Sequence, residues 1–310
     1  MPQLFWITLA GMAGVLAVAT TAGRLLARRA GPENTTVLNL NQRINAWWVM
    51  TAVGGAALVA GKHATIALFL VCSFFALREF ITLTPTKEGD YSSLVLVFYV
   101  ALPAQYVVLA MEWYGLFAIL IPVWGFLVIS AAAAFAQDTA DFLERNAKIQ
   151  WALMVCVYGL SHAPALLLLR IPDYFSGNGP LLLYFLLVVQ SSDVFQYVCG
   201  KIWGLTPLSP KVSPNKTVEG LVGGGLLAVL LGLLLHGLTP FAPWEAALMS
   251  LVTVAAGVIG GLVLSAVKRS LGAKDWGEML AGHGGMLDRV DSICFAAPVF
   301  FHLTRFFFVP

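Results

Sequence analysis

The chain has 310 residues, 59% of them hydrophobic and only 11% charged, with a mean hydropathy of +0.83 and a formal net charge of +2. So little polar surface cannot cover a water-soluble globule of this size, and so small a charge excess gives no argument for a nucleic-acid partner. The apolar material comes in blocks of about 17 to 25 residues, the length a helix needs to cross about 30 Å of hydrocarbon, so an all-α integral membrane protein is expected, a polytopic helical bundle rather than an outer-membrane barrel.

Ten spans are predicted, at 4–22, 46–60, 63–81, 92–110, 114–135, 149–169, 180–199, 218–237, 243–266 and 292–308. Only three residues precede the first, without a basic region or a small-residue cleavage site, so that span is expected to be retained. The second, with Trp47 and Trp48, is the shortest. Cys72, Cys156, Cys199 and Cys294 lie in or at the ends of apolar blocks with no CxxC pair, and are expected to be unpaired, buried small hydrophobes. Residues 1–180 read as a scaffold of transmembrane helices and 181–310 as a catalytic region, both within one continuous membrane domain.

Lysine and arginine accumulate in cytoplasmic loops. With the N-terminus outside, ten spans leave only Lys62, Arg170 and Arg305 of the 18 basic residues on the outer side. Losing or gaining one span would spoil that asymmetry.

In the first half, Arg78 and Glu79 end span three and read as a solvated or mutually paired interfacial couple. The stretch QDTADFLERNAKIQ, with Phe142, Leu143 and Ile149 among charges, suits a short interfacial helix. His162, beside Tyr158 and Ser161, is expected to be a hydrogen-bonded packing residue, with a cavity-lining role as the alternative.

The second half changes character. Asp193, Gln196, Tyr197 and Gly200 fall at i, i+3, i+4 and i+7, hence on one helical face. An ionisable residue inside the membrane boundary is costly, which makes Asp193 a functional candidate. In the loop that follows, Pro207, Pro210 and Pro214 are expected to exclude regular structure. Lys211 and Lys216 there stand among Ser209, Ser213, Asn215 and Thr217, a composition that suits either a phosphate clamp or an ordinary positive-inside loop. Glu219 then opens span eight as a cap, a metal ligand or a partner for lysine.

Residues 265–291, SAVKRSLGAKDWGEMLAGHGGMLDRVD, hold the densest polar cluster of the chain. Ser265, Lys268 and Arg269 share a helix face, Lys274 follows, and His283 sits in a turn of glycines. Asp288 and Asp291, at i and i+3 with Arg289 between them, start span ten, where two carboxylates are suited to Mg²⁺. Glycines beside them let backbone N–H groups approach an anion.

The run from Ser265 through Lys268-Arg269, Lys274-Asp275, Gly282-His283-Gly284-Gly285 and Asp288-Arg289 to Asp291 closely resembles the C-terminal signature of the CDP-diacylglycerol synthase (phosphatidate cytidylyltransferase) family. The loop Ser209–Thr217 with Glu219-Gly220 is similar to that family's second hallmark. The resemblance implies transfer of a cytidylyl group from CTP to phosphatidate or a related lipid phosphate, with Mg²⁺ as cofactor. It also implies a homodimer in a bacterial inner membrane, with a polar site open to the cytoplasm. It makes Asp288 the leading metal ligand, with Asp193 and Asp291, and makes Lys268, Arg269, Lys211 and Lys216 phosphate contacts. Ser213, Asn215, Ser265, Lys274, His283 and Arg289 become substrate-binding residues.

Two departures stand out. Where the family usually has Gly-Asp, this chain has Gly260-Gly261, and the pattern after Asp193 carries Gln196 in place of a small residue. Asp193 or Asp291 is expected to supply the missing charge. The rival readings are a CTP-dependent lipid kinase, a cytidylyltransferase acting on another lipid phosphate, and a polytopic transporter. Against the transporter stand the lack of an internal repeat and the gathering of polar residues on one side.

Overall fold

The structure is a computed structural model that describes residues 2–30, 34–174, 177–279 and 284–310. Ten helices form among them: α1 (Gln3–Ala30), α2 (Thr35–Ala60), α3 (Lys62–Leu83), α4 (Glu88–Ala110), α5 (Tyr114–Phe135), α6 (Phe142–Leu168), α7 (Asn178–Trp203), α8 (Val218–Leu234), α9 (Pro243–Ser270) and α10 (Leu287–Phe308). Eight are long and apolar enough to cross a membrane; α2 and the 17-residue α8 fall outside that group. Helix count and order match the expectation, and all four cysteines are unpaired, with Cys72 only partly buried.

Two boundaries differ from it. Helix α2 starts eleven residues before the apolar block because polar groups join it to α1: Asn41 donates to the Gly23 carbonyl and Trp48 Nε1 to Thr20 Oγ1. The 142–149 stretch is not a separate interfacial helix. It is the first turns of α6, anchored because Arg145, 5% exposed, pairs with Asp90 at 2.9 Å and Asp138 at 2.7 Å.

Helix α6 is the most enclosed span, packed between α3 and α10. His162 on it is wholly buried, its Nδ1 on the Tyr158 carbonyl at 2.7 Å, and serves as a packing residue between the rings of Phe117 and Phe301. Helices α7 and α8 approach most closely where Gly220 and Gly224 face the α7 backbone. A Cβ on Gly220 would lie 2.8 Å from the Gln196 carbonyl oxygen, so only glycine permits the contact.

The proline-rich loop between α7 and α8 is regular after all. Strands β1 (Pro207–Ser209) and β2 (Ser213–Thr217) pair antiparallel, with Ser209 opposite Ser213. The three prolines fit because a two-stranded ribbon has two free edges and a turn, places where a missing N–H costs nothing. Glu219 accepts the Leu205 and Thr206 N–H groups at 3.1 Å, and Thr217 caps α8 by accepting from Gly220, so the hairpin base is clamped to the helix that follows.

Candidate active site

The polar residues converge at one end of the bundle, where α7 and α9 end, α10 starts and the hairpin stands beside them. Asp288, at the start of α10, is the hub. Its Oδ1 accepts from Lys268 Nζ at 2.6 Å, while Oδ2 accepts the N–H groups of Trp276 at 2.8 Å and Gly285 at 2.9 Å. Both ends of the ion pair are nearly buried, at 10% and 5% exposure. One carboxylate therefore holds α9, the segment after it and the turn before α10 in a single arrangement. Trp276 in that segment is buried and stacks on Phe80 of α3 at 4.9 Å.

Helix α10 begins with no side-chain cap of its own. Glu79, on α3, supplies one: its two oxygens accept the N–H groups of Met286 and Leu287, each at 2.8 Å. Glu79 is therefore not the solvated or Arg78-paired residue expected from sequence. A carboxylate at a helix N-terminus also meets the positive end of the helix dipole.

A second pair of carboxylates lies one turn further into the bundle. Ser292 Oγ donates to Asp193 Oδ2 at 2.8 Å, and the Ser292 N–H donates to Asp291 Oδ1 at 2.7 Å. The two acids thus meet across one serine, close enough to repel each other, with Lys216, Lys268 and Arg289 as the cations within electrostatic reach. Lys216 makes no hydrogen bond or ion pair among the described residues, and its Nζ lies 3.1 Å from where a Cβ on Gly261 would stand. The position that departs from the expected Gly-Asp pair therefore faces this same charge cluster, with Ser292 Oγ 3.6 Å away. Arg289 has a buried Nε with no partner among the described residues.

The remaining candidates divide. Ser265 donates to the Gly261 carbonyl at 2.6 Å, within its own helix. Arg269 reaches the hairpin turn, its Nε 3.4 Å from the Val212 carbonyl, and also bonds the Ala273 carbonyl at 3.1 Å. Lys211, Asn215 and Lys274 are exposed, Ser213 is half-buried, and none of the four has a side-chain partner among the described residues. His283 lies outside the described residues.

Sequence reasoning missed Glu79, Ser292 and Trp276. The missing cap of α10 was visible as Gly-Gly-Met before Leu287, with no Ser, Thr, Asn or Asp at the cap position. A helix so started needs an acceptor from elsewhere.

A half-buried pair of carboxylates needs positive charge, and a pair facing a polar end of the bundle has the oxygen donor set that Mg²⁺ takes. Asp193 and Asp291 fit such an ion better than Asp288, three of whose acceptor directions are already used. The unpartnered donors beside them, Lys216 and the Arg289 Nε, suit phosphate oxygens.

Residues 41–307 match the sequence model described as "Cytidylyltransferase family". The chain is 35% identical over 301 residues to the uncharacterized protein YnbB of Escherichia coli, covering 96% of this chain and 98% of that one. It is 33% identical to a phosphatidate cytidylyltransferase of Haemophilus influenzae over 257 residues, 78% of this chain and 81% of the relative. With the phosphatidate cytidylyltransferase of Aquifex aeolicus it shares 43% identity over 121 residues, 39% of this chain and 45% of that one.

Proposed function

This chain belongs to the cytidylyltransferase family, as a nucleotidyltransferase of the membrane, and on that premise we propose that it transfers the cytidylyl group of CTP to phosphatidate, giving CDP-diacylglycerol and pyrophosphate. The observation that carries the reading is the Asp193–Ser292–Asp291 cluster flanked by the unpartnered Lys216 and Arg289 Nε. Negative charge partly withdrawn from solvent beside free cationic donors is what a site for a metal-bound triphosphate requires.

In this reaction an oxygen of the lipid phosphate attacks the α-phosphorus of CTP, the bond from that phosphorus to the bridging oxygen breaks, and pyrophosphate leaves with the electron pair. The attacking oxygen is already ionised at neutral pH, so no strong base is required, and the residues work by positioning and neutralising charge. Mg²⁺, held by Asp193 and Asp291 with Asp288 close in sequence, would draw negative charge off the phosphates. Lys216 and Arg289 contact the triphosphate and the departing pyrophosphate. Lys211 and Lys274, exposed at the rim, gather the nucleotide, with Ser213 and Asn215 beside them on the hairpin. Lys268 and Arg269 act as positioning residues, one through Asp288 and the other through the hairpin turn. Ser265 orders the Gly261 turn of α9, and His283 lies five residues before Asp288 in sequence. We assign the site to the cytoplasmic face of a bacterial inner membrane, and the active form to a homodimer.

The test is to incubate purified protein with phosphatidate, Mg²⁺ and CTP labelled at the α-phosphate, and to follow label into the organic phase. Transfer that a chelator abolishes is expected. Transfer of γ-label instead would make the enzyme a lipid kinase. Activity only with another lipid phosphate would keep the chemistry and change the acceptor.

A further inference from the structure

Of the 18 lysines and arginines, Lys62, Arg170 and Arg305 are the three that the positive-inside pattern leaves on the outer side. They come from the start of α3, the residues after α6 and the last turn of α10, and the fold brings them to one place. Lys62 and Arg170 both bind Glu112, at 2.6 and 3.2 Å. Glu112, Arg170 and Arg305 line a cavity of about 500 Å³ at the end of the bundle opposite the catalytic cluster. Asp288 and Arg305 lie 17 residues apart on one helix, about 25 Å at 1.5 Å per residue, close to the thickness of a hydrocarbon core.

The cavity has two characters. Its inner wall is apolar, from Leu109, Phe117, Leu168 and Phe301, and its mouth carries Trp113 and Tyr114, aromatic types that gather at the membrane interface. The guanidinium of Arg305 lies over the Tyr114 ring, its Cζ 3.7 Å from the ring centre, and has no acceptor among the described residues. A guanidinium held over a ring face by cation–π attraction still has N–H donors to offer an anion. Arg170 is 87% exposed and spends only one contact on Glu112. Glu112 takes two of the three cations, Lys62 and Arg170, while Arg305 makes no ion pair among the described residues and stands beside an apolar wall. Positive charge on this side runs against the distribution of the rest of the chain, so a local counter-charge is what its clustering needs.

We propose that this cavity binds the headgroup of an anionic phospholipid from the leaflet opposite the catalytic cluster. Arg305 and Arg170 hold the phosphate, and the upper acyl carbons lie against the Leu109, Phe117, Leu168 and Phe301 wall. An anion alone would use the guanidinium groups and leave the apolar wall without purpose; a zwitterionic lipid would bring its own cation against them. The site is independent of the transfer reaction and does not require it.

The test uses the full chain in detergent, titrated with dioleoylphosphatidylglycerol or dioleoylphosphatidylcholine and read by native mass spectrometry. One anionic lipid per chain is expected to be retained with about ten-fold preference over the zwitterionic one, the scale of one charge-assisted contact. Arg170→Gln/Arg305→Gln should abolish that preference. Lys148→Gln, at the other end of α6 and paired with Glu144, should leave it unchanged. Equal retention of the two lipids, or a preference that survives the double substitution, overturns the proposal. Displacement of the lipid by millimolar inorganic phosphate would assign the cavity to a free anion and overturn the lipid assignment.

Discussion

Glu79 and Leu287 are 208 residues apart in sequence, yet the carboxylate of one accepts the backbone N–H of the other at 2.8 Å. The contact ties the first half of the chain to the polar cluster of the second. With the Met286 N–H also on Glu79, it is the cap of α10. Glu79→Ala leaves both N–H groups without an acceptor, and hydrogen bonds to a charged group contribute about 1.5–3 kcal/mol each. A clear drop in the thermal midpoint of the purified protein is expected, with a smaller drop for Glu79→Gln. An unchanged midpoint in Glu79→Ala would remove the cap from the account.

Lys268 and Asp288 form a nearly buried pair, so removing either partner strands the other. Loss of one member of such a pair typically costs about 3–5 kcal/mol. Lys268→Met and Asp288→Asn should each abolish measurable transfer, and the double variant should be more stable than Lys268→Met alone. Stability measured around this double-mutant cycle checks the coupling. Strictly additive effects would mean that the pair does not act as a unit.

Asp193→Asn and Asp291→Asn each remove charge from the cluster around Ser292. Both should raise the Mg²⁺ concentration for half-maximal activity by about ten-fold or more, the scale of one lost charge-assisted contact. Gly261→Asp sends a carboxylate toward the same cluster, where its Cβ meets the flexible end of Lys216 at 3.1 Å and Ser292 Oγ at an ordinary 3.6 Å. In the Asp193→Asn background it should recover part of the lost Mg²⁺ affinity. Recovery by Gly261→Asn to the same degree would show that charge is not the cause.

On the opposite side, the hydrogen bond from Lys62, followed by that from Arg170, holds the Glu112 carboxyl below its ordinary value. A depressed carboxyl contributes stability that is present above its unfolded value and is lost as pH falls through the folded one. Acidification from neutrality to about pH 3, through and below the usual glutamate range, should therefore remove this contribution. Glu112→Gln should lack that component, and the side chain's exposure keeps the effect small. Parallel acid limbs in the thermal midpoints of the two proteins would count against the linkage.

Hydrophobic blocks made the ten helices legible, because burial in a bilayer is decided by length and composition. Their polar ends were not, since Asn41 and Arg145 extend α2 and α6 through partners far off in sequence. Asp193, Asp288 and Asp291 stood out as charges at helix ends and Lys216 as one in the loop between two spans, and Lys216 does come within electrostatic reach of Asp193 and Asp291. Their division of labour did not, because nothing in the spacing tells that Asp288 turns to Lys268 and two backbone N–H groups while Asp193 and Asp291 turn to Ser292. The hairpin was hidden by its prolines, which exclude a central strand and permit a free ribbon. Lys62, Arg170 and Arg305 were seen only as exceptions to a rule; that they converge depends on how α3, α6 and α10 pack.

Helix α8 has 17 residues, about 25 Å at 1.5 Å per residue, some 5 Å less than a typical hydrocarbon core. A span too short for its bilayer draws the lipid surface inward around it or sinks its own end. Since the hairpin hangs from the start of that helix, the reaction proposed above would take place near the depth of the lipid carbonyls rather than out in the water. In that proposed reaction a substrate with two long tails would present its phosphate without being lifted from its leaflet, and only the nucleotide would have to travel.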